Sequence, residues 1–434
     1  MVVCCSYLQK GGEVAKHTKS ELEKFAFKLG TLFKPTSPIN REDLFSGRGR
    51  QTLDVVDVIN QPGQHAVLYG ERGVGKTSLA NMIFPKLRTT AMPIIAPFVN
   101  CFNSDDFSAI WKRVLGEIKL QAQAKDLDLP KGIEAIIQEY TDPFMDRFQP
   151  EVIRTVLHEL GQYYVVVVIV DEFDAVESKQ TRRNVADTIK YLSDRNTPAT
   201  IVMIGVADDV EELIENHQSI ERCLCQINVP RMSRDELETI VTKGLGECEM
   251  EIAQGALHEI SRLSRGLPHY THLLGLYAGR CALENSEMKV TEEHVAIAVK
   301  QSIGKAQATI EGDYTRAVTS SRKDATYREV LLAAAMAKTD GMGFFYPKDV
   351  RPHLERIVKK PVRFDTFSKH LLAFCDDQRG SVLRKDRSTP RPRYRFANPL
   401  LEPYILIRGM ADGLIGENDL RETRDVDDPQ QRLF

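Results

Sequence analysis

The rhythm of apolar and polar positions changes three times along the chain. Up to about residue 41 a single amphipathic stretch, 20–33, predicts a helix, and the segment KPTSPIN after it predicts a linker. From residue 44 short apolar runs alternate with amphipathic stretches, the texture of an α/β unit. The runs are AVLYG (66–70), IIAPFVN (94–100), YYVVVVIVDEFD (163–174), TIVMIGVA (200–207) and LCQINVP (224–230). From Tyr163 to Val170 every residue is aromatic or β-branched, with no polar alternation. A strand of that kind is covered on both faces, which places it centrally in a parallel sheet between helical layers. Residues 105–162 read as helices interrupted near Pro130 and Pro143.

At Ser233-Arg234-Asp235-Glu236 a capping box opens a purely helical region that runs to about residue 303, broken at Gly244 and at Gly266-Leu267-Pro268. A polar connection leads to a third unit with helices at 326–338, 346–357 and 365–375. Two β-prone runs follow, SVLRKD and RYRFAN, around a turn rich in Pro and Arg. The division expected is an N-terminal helix and linker (1–41), an α/β core with helices on both faces of a parallel sheet (42–232), a helical bundle (233–304), a helix-and-hairpin unit (325–410) and a polar tail (411–434).

Composition narrows the function classes. The 434 residues suffice for two or three cores, and 42% apolar with 27% charged residues is ordinary for a globular protein. With a net charge of −3, a surface for nucleic acid has to be local. Eight cysteines show neither C-x-x-C spacing nor a His cluster, which speaks against a zinc site and a disulfide framework and for reduced thiols. The N-terminus lacks a basic segment followed by an apolar one, and no apolar run approaches the ~18–20 residues of a membrane helix. A cytoplasmic protein without a membrane partner is expected.

The chemistry sits at two strand ends. Gly70-Glu71-Arg72-Gly73-Val74-Gly75-Lys76-Thr77 matches G-x-x-x-x-G-K-[ST], follows the strand AVLY and opens a helix at Ser78. Backbone N–H groups in such a loop wrap phosphates, aided by the helix N-terminus. Lys76 is expected on the β- and γ-phosphates and the Thr77 hydroxyl on Mg²⁺. Asp171 and Glu172 end the buried strand, where adjacent carboxylates need a cation to meet them. Asp171 suits the Mg²⁺ shell and Glu172 a base that polarises the attacking water. ATP and Mg²⁺ are the expected cofactors, and hydrolysis to ADP and phosphate the expected reaction.

These motifs resemble the AAA+ superfamily, and more narrowly its origin-recognition initiators and the related STAND signalling ATPases. The resemblance implies a nucleotide held between core and helical lid, with a winged helix as the C-terminal unit. It makes Leu44, Phe45 and Arg48 either nucleotide-pocket or packing residues. It places Arg222, before the fifth strand, where such families carry an arginine finger that acts on a neighbouring subunit, implying a homo-oligomer; the alternative is a surface arginine. Gly266-Leu267-Pro268-His269 resembles the G-x-P lid motif of STAND proteins, with Pro268 against the nucleotide, while the Asn after the fourth strand is replaced by Asp208 and the initiators' lid arginine is missing near His269. The resemblance thus implies a STAND-type switch that gates a separate effector protein, or alternatively a DNA-binding initiator or loader. Duplex DNA would meet the basic wing from Arg384 to Arg395 and the helix carrying Arg363, Thr366, Ser368, Lys369 and His370.

Overall fold

Strand alternation decides the layers. Six strands form one sheet in which every pairing is parallel: β1 (His65–Gly70), β2 (Ile94–Ile95), β3 (Phe98–Asn100), β4 (Val165–Asp171), β5 (Ala199–Val206) and β6 (Leu224–Asn228). Their order is β2–β4–β5–β1–β6, with β3 resuming beside β4 beyond β2. The run 94–100 is thus one interrupted strand: Pro97 has no N–H to give the ladder, although its carbonyl still accepts from Ile169 at 2.9 Å. The computed structural model of the chain describes residues 18–35, 47–83, 87, 92–140, 148–206, 218–304, 308–320, 325–340, 342–386, 391–416 and 418–419.

The apolar run at 163–170 becomes β4, with strands on both sides, though it starts later than expected. Tyr163 is exposed, and the Tyr164 hydroxyl donates to the Asp128 carbonyl. On one face Val166, Val168 and Val170 pack with Val67, Ile201 and Met203 against α4 (Phe107–Ala124), α5 (Lys131–Tyr140), α6 (Pro150–Gly161) and α7 (Lys179–Asp194). On the other face Val167 and Ile169 join Ala66, Leu68, Val202 and Ile204 against α2 (Gly49–Ile59) and α3 (Lys76–Asn81). A buried Val or Ile contributes about 1.5–3 kcal/mol, so neither parity tolerates a polar residue.

The helical region comprises α8 (Arg234–Gly246), α9 (Gln254–Ser264), α10 (Pro268–Glu284) and α11 (Glu292–Ile303). Ser233 and Glu236 form the expected reciprocal cap of α8. Gly244 does not break that helix. It and Gly275 of α10 form a slot for the Phe33 ring: a Cβ at either would come within 2.5 or 2.7 Å of it. Phe33 follows α1 (Lys19–Leu32), whose Leu29 and Leu32 are also buried. The N-terminal helix is therefore part of the helical region's core rather than an appendage. A two-residue parallel pairing of β7 (Glu251–Ile252) with β8 (Lys289–Val290) is too short to leave a periodic trace in sequence.

Beyond the lid, α12 (Ala308–Val318) occupies what reads as a polar connection, its Ile310, Tyr314 and Ala317 facing inward. Then come α13 (Tyr327–Met336), α14 (Pro347–Val358) and α15 (Phe364–Ala373), and the antiparallel hairpin β9 (Leu383–Asp386) and β10 (Arg393–Phe396). Phe345 bridges Tyr394 on the outer side of β10. A last helix, α16 (Leu401–Ala411), was not expected. Its sequence LEPYILIRGMA is apolar nearly all round, and such a helix is stable only when enclosed. It packs among α9, α11, α12 and α13, so one continuous apolar cluster joins a sheet face, the lid and the C-terminal unit.

Candidate nucleotide-binding site

The loop between β1 and α3 crosses the C-terminal end of the sheet, where parallel strands leave a crevice. Gly70 has φ +150°, and a Cβ there would meet the Val229 carbonyl oxygen at 2.4 Å. Gly75 turns the chain into α3 at φ +95°. A cavity of about 470 Å³ opens above the loop. Of the residues expected in the site, Arg48, Arg72, Gly73, Val74, Gly75, Lys76, Thr77, Ser78, Asp171, Glu172 and Pro268 all line it. Leu44, Phe45 and Asp208 lie outside the described residues.

The two central charges are both short of partners. The Lys76 ammonium donates to the loop's own carbonyls, Gly70 at 3.0 Å and Glu71 at 2.8 Å. Burial lowers its pKa to about 8 against the opposing pull of Asp174, Asp171 and Glu71. Asp171 accepts from the Thr77 hydroxyl at 2.6 Å and from the Glu172 amide at 2.8 Å. Burial still holds its carboxyl above the usual range, despite those bonds and Lys76. A hydroxyl beside a buried, under-compensated carboxylate is a hard-oxygen donor pair that fits Mg²⁺. An under-solvated ammonium at a helix N-terminus fits phosphate.

Glu172 is set apart from Asp171 by the backbone. Its φ of 55° and ψ of 34° are left-handed, unusual for a residue with a side chain, and they kink the strand end. The exposed residue lines both this cavity and a second groove beyond β3 and α4. Asp174, not anticipated, also lines the cavity, and its Oδ1 accepts from the Val206 amide at 2.8 Å, tying the end of β5 to the acidic turn. Arg48, itself at φ 61°, donates from its guanidinium to the Val74 and Pro230 carbonyls and from its amide to Glu236 at 3.0 Å. It braces the loop as well as lining the cavity.

Glu71 departs from the expectation of a cavity residue. Its side chain enters a buried ion-pair cluster with Arg231 (2.6 Å). Arg231 also meets Glu402 of α16 at 2.7 Å, and Glu402 meets Arg265, just before the Gly266-Leu267-Pro268 turn, at 2.5 Å. Arg265 caps the Ala337 carbonyl at 2.6 Å. All four side chains are nearly or fully buried. The cluster thus connects phosphate loop, sheet, lid and C-terminal unit. Leu400, at the start of α16, also lines the cavity and comes within 3.1 Å of a Cβ placed on Gly73. None of these long-range pairings has a local sequence signal.

Arg222 stands apart from the cavity, exposed and paired with Asp194 at 2.9 Å. The basic residues near the hairpin divide into two groups. Arg379 donates to the Ala317 carbonyl at 3.0 Å and stacks on Tyr327; Arg393 pairs with Asp386 and Asp340 and, with Arg395, covers Phe344. Arg384, Lys385 and Arg391 are exposed, and Arg387 lies outside the described residues. Among the described residues no three His, Cys, Asp or Glu side chains gather as a metal cluster, six cysteines are free thiols, and no helix is long and apolar enough to cross a membrane.

Residues 59–214 match the family described as AAA domain. No curated protein matches the chain in sequence. Among solved structures the chain is similar to the Walker-type ATPase of Pyrococcus abyssi, at 15% identity and a TM-score of 0.54, over 86% of this chain and 99% of that one. The ORC2 protein of Aeropyrum pernix, in ADPNP–ADP complexes, is 15% identical with a TM-score of 0.48, over 90% and 97% of the two chains. Cdc6p of Pyrobaculum aerophilum is 12% identical with a TM-score of 0.44, over 88% and 98%. At 15% identity the likeness to the Walker-type ATPase is one of fold, and that fold is of the P-loop NTPase kind.

Proposed function

We propose that this protein is an AAA+ ATPase that works as a nucleotide-driven switch. One observation carries the reading: Lys76, Thr77, Asp171 and Glu172 line one cavity together with the glycine loop, with the Thr77 hydroxyl 2.6 Å from Asp171. Lys76 would hold the β- and γ-phosphates, and Thr77 and Asp171 would hold Mg²⁺, which when bound neutralises developing phosphate charge. Glu172, off the strand line, would accept the proton of the attacking water. The buried cluster from Glu71 to Glu402 supports a route by which nucleotide state reaches the C-terminal unit. The test compares hydrogen exchange of residues 400–411 in Glu172→Gln protein trapped with ATP and in wild type with ADP. Equal protection in both states removes the switch.

DNA is the partner the surface favours, as in the initiator-like alternative. Exposed Arg384, Lys385 and Arg391 flank the hairpin turn, and exposed Arg363 and Phe364 open α15. Helices followed by a basic hairpin would act as a winged helix on duplex DNA. A mobility shift at two salt concentrations, with and without ATP, tests this, since phosphate contacts weaken steeply with salt. STAND-type gating of an effector is favoured by Asp208 in place of Asn, by the lack of an arginine near His269, and by Pro268 against the phosphate loop, where it lies 3.8 Å from a Cβ placed on Gly75. Arg222 would act in trans in a homo-oligomer. Mixing Arg222→Ala with Lys76→Ala protein then restores turnover, and a mixture that stays inactive leaves Arg222 a surface residue.

A further inference from the structure

The nucleotide cavity continues past the phosphate loop into a compartment walled by the segment after α1 and by the lid. Lys34 and Pro35 form one side, Met232 and Ile240 another, and Pro268, His269 and His272 of α10 a third. With phosphates held at Gly73–Thr77, the nucleoside end of a nucleotide has to reach into this space. Two imidazoles stand here. The Nδ1 of His269 lies 2.6 Å from the Pro35 carbonyl, to which it donates, and this fixes its tautomer.

His272 has no such commitment. It is 4% exposed, and neither ring nitrogen has a hydrogen-bond partner among the described residues. Phe33, seated in its glycine slot, holds the ring edge-on at a centroid distance of 5.9 Å. Burial, with His269 nearby, lowers its pKa to about 4, so the ring is neutral and presents one donor and one acceptor. A buried polar group left unpaired is costly, and the side of His272 that opens on the cavity is where a partner can enter. Ring nitrogens and exocyclic amino groups of a nucleobase offer the complementary acceptors and donors.

We propose that His272 is the residue that recognises the edge of the bound nucleotide's base, positioned by Phe33 of the N-terminal segment. The proposal rests on the nucleotide-binding reading of the same cavity and deepens it. The N-terminal segment thereby takes part in base recognition, although it precedes the region that matches the AAA domain.

The test measures binding of ATP and of ribose 5-triphosphate, which lacks only the base, to the full chain with Mg²⁺ by titration calorimetry. Wild type should prefer ATP. His272→Phe, which keeps the ring but removes both polar atoms, should weaken ATP binding about tenfold and leave ribose triphosphate unchanged. His272→Gln, which returns a donor and an acceptor, should recover most of the loss. Equal weakening of both ligands, or unchanged ATP affinity in His272→Phe, overturns the proposal. Equal affinity of wild type for the two ligands also overturns it, while leaving the phosphate site standing. If wild type binds neither, the nucleotide reading itself falls.

Discussion

Two charged clusters share the phosphate loop and differ in how complete they are. Around Lys76 and Asp171, burial drives both groups toward neutrality, the ammonium to a pKa of about 8 and the carboxyl above its usual range. Around Glu71, Arg231, Glu402 and Arg265, two acids meet two arginines at 2.5–2.7 Å. On the proposed reading, the first cluster is completed by a ligand that supplies anion and cation. The second is satisfied within the protein. Glu71 belongs to both: its carbonyl receives Lys76 and its carboxylate receives Arg231. A phosphate that draws the Lys76 ammonium away therefore acts on the loop that anchors the closed cluster.

Lys76→Ala has the largest expected effect. Removing its buried ammonium should cut turnover at least ~100-fold, as loss of a preorganised charge does in other phosphate sites. The unfolding midpoint should not fall, because the unfinished cluster contributes function rather than stability. A variant that folds and hydrolyses ATP normally would show that the Lys76 ammonium has no part in turnover. Glu402→Ala should do the opposite. It leaves Arg231 and Arg265 buried without their shared acid, at a cost of about 3–5 kcal/mol by chemical denaturation. A loss below about 1 kcal/mol would mean that the second cluster is not closed.

Glu172→Gln should bind ATP as wild type does and turn it over at least ~100-fold more slowly. If single-turnover rates are unchanged, Asp174 becomes the better base. The pH dependence is gentler. Free protein loses the Lys76 proton as pH rises through about 8, whereas bound phosphates raise that pKa, so binding takes up a proton above this point. ATP affinity should be flat below the free pKa and fall by at most about tenfold per pH unit above it, read as the Kd across that range. The smallest effect belongs to Arg222→Ala. Its exposed pair with Asp194 should contribute no more than about 1 kcal/mol to stability. Its effect on turnover should appear only where turnover rises with protein concentration.

Much of the core was legible because its determinants are local. The glycine motif fixes a turn between a strand and a helix, and the apolar run before Asp171 demands burial on both faces. The capping box at Ser233 announces its helix directly. Misreadings fell where a residue answers to a distant partner. Gly244 looks like a helix breaker until Phe33 fills the space above it. The helix 401–411 has no amphipathic stripe because it is enclosed on nearly every side, with Arg408 its partly exposed edge. Leu400 and His272 reach the cavity only through that packing, although Pro268, His269 and His272 share a helix face at spacings that could have drawn attention.

By itself the sequence determined the phosphate loop, the strand that delivers Asp171 and Glu172, and the parallel α/β class, since each follows from backbone geometry and burial within a few residues. The tertiary structure alone decided the pairing of Glu71 with Arg231 and of Glu402 with Arg265, and the seating of Phe33. Those depend on contacts between residues far apart in the chain, whose desolvation and fit are set only once sheet, lid and C-terminal unit have closed on one another.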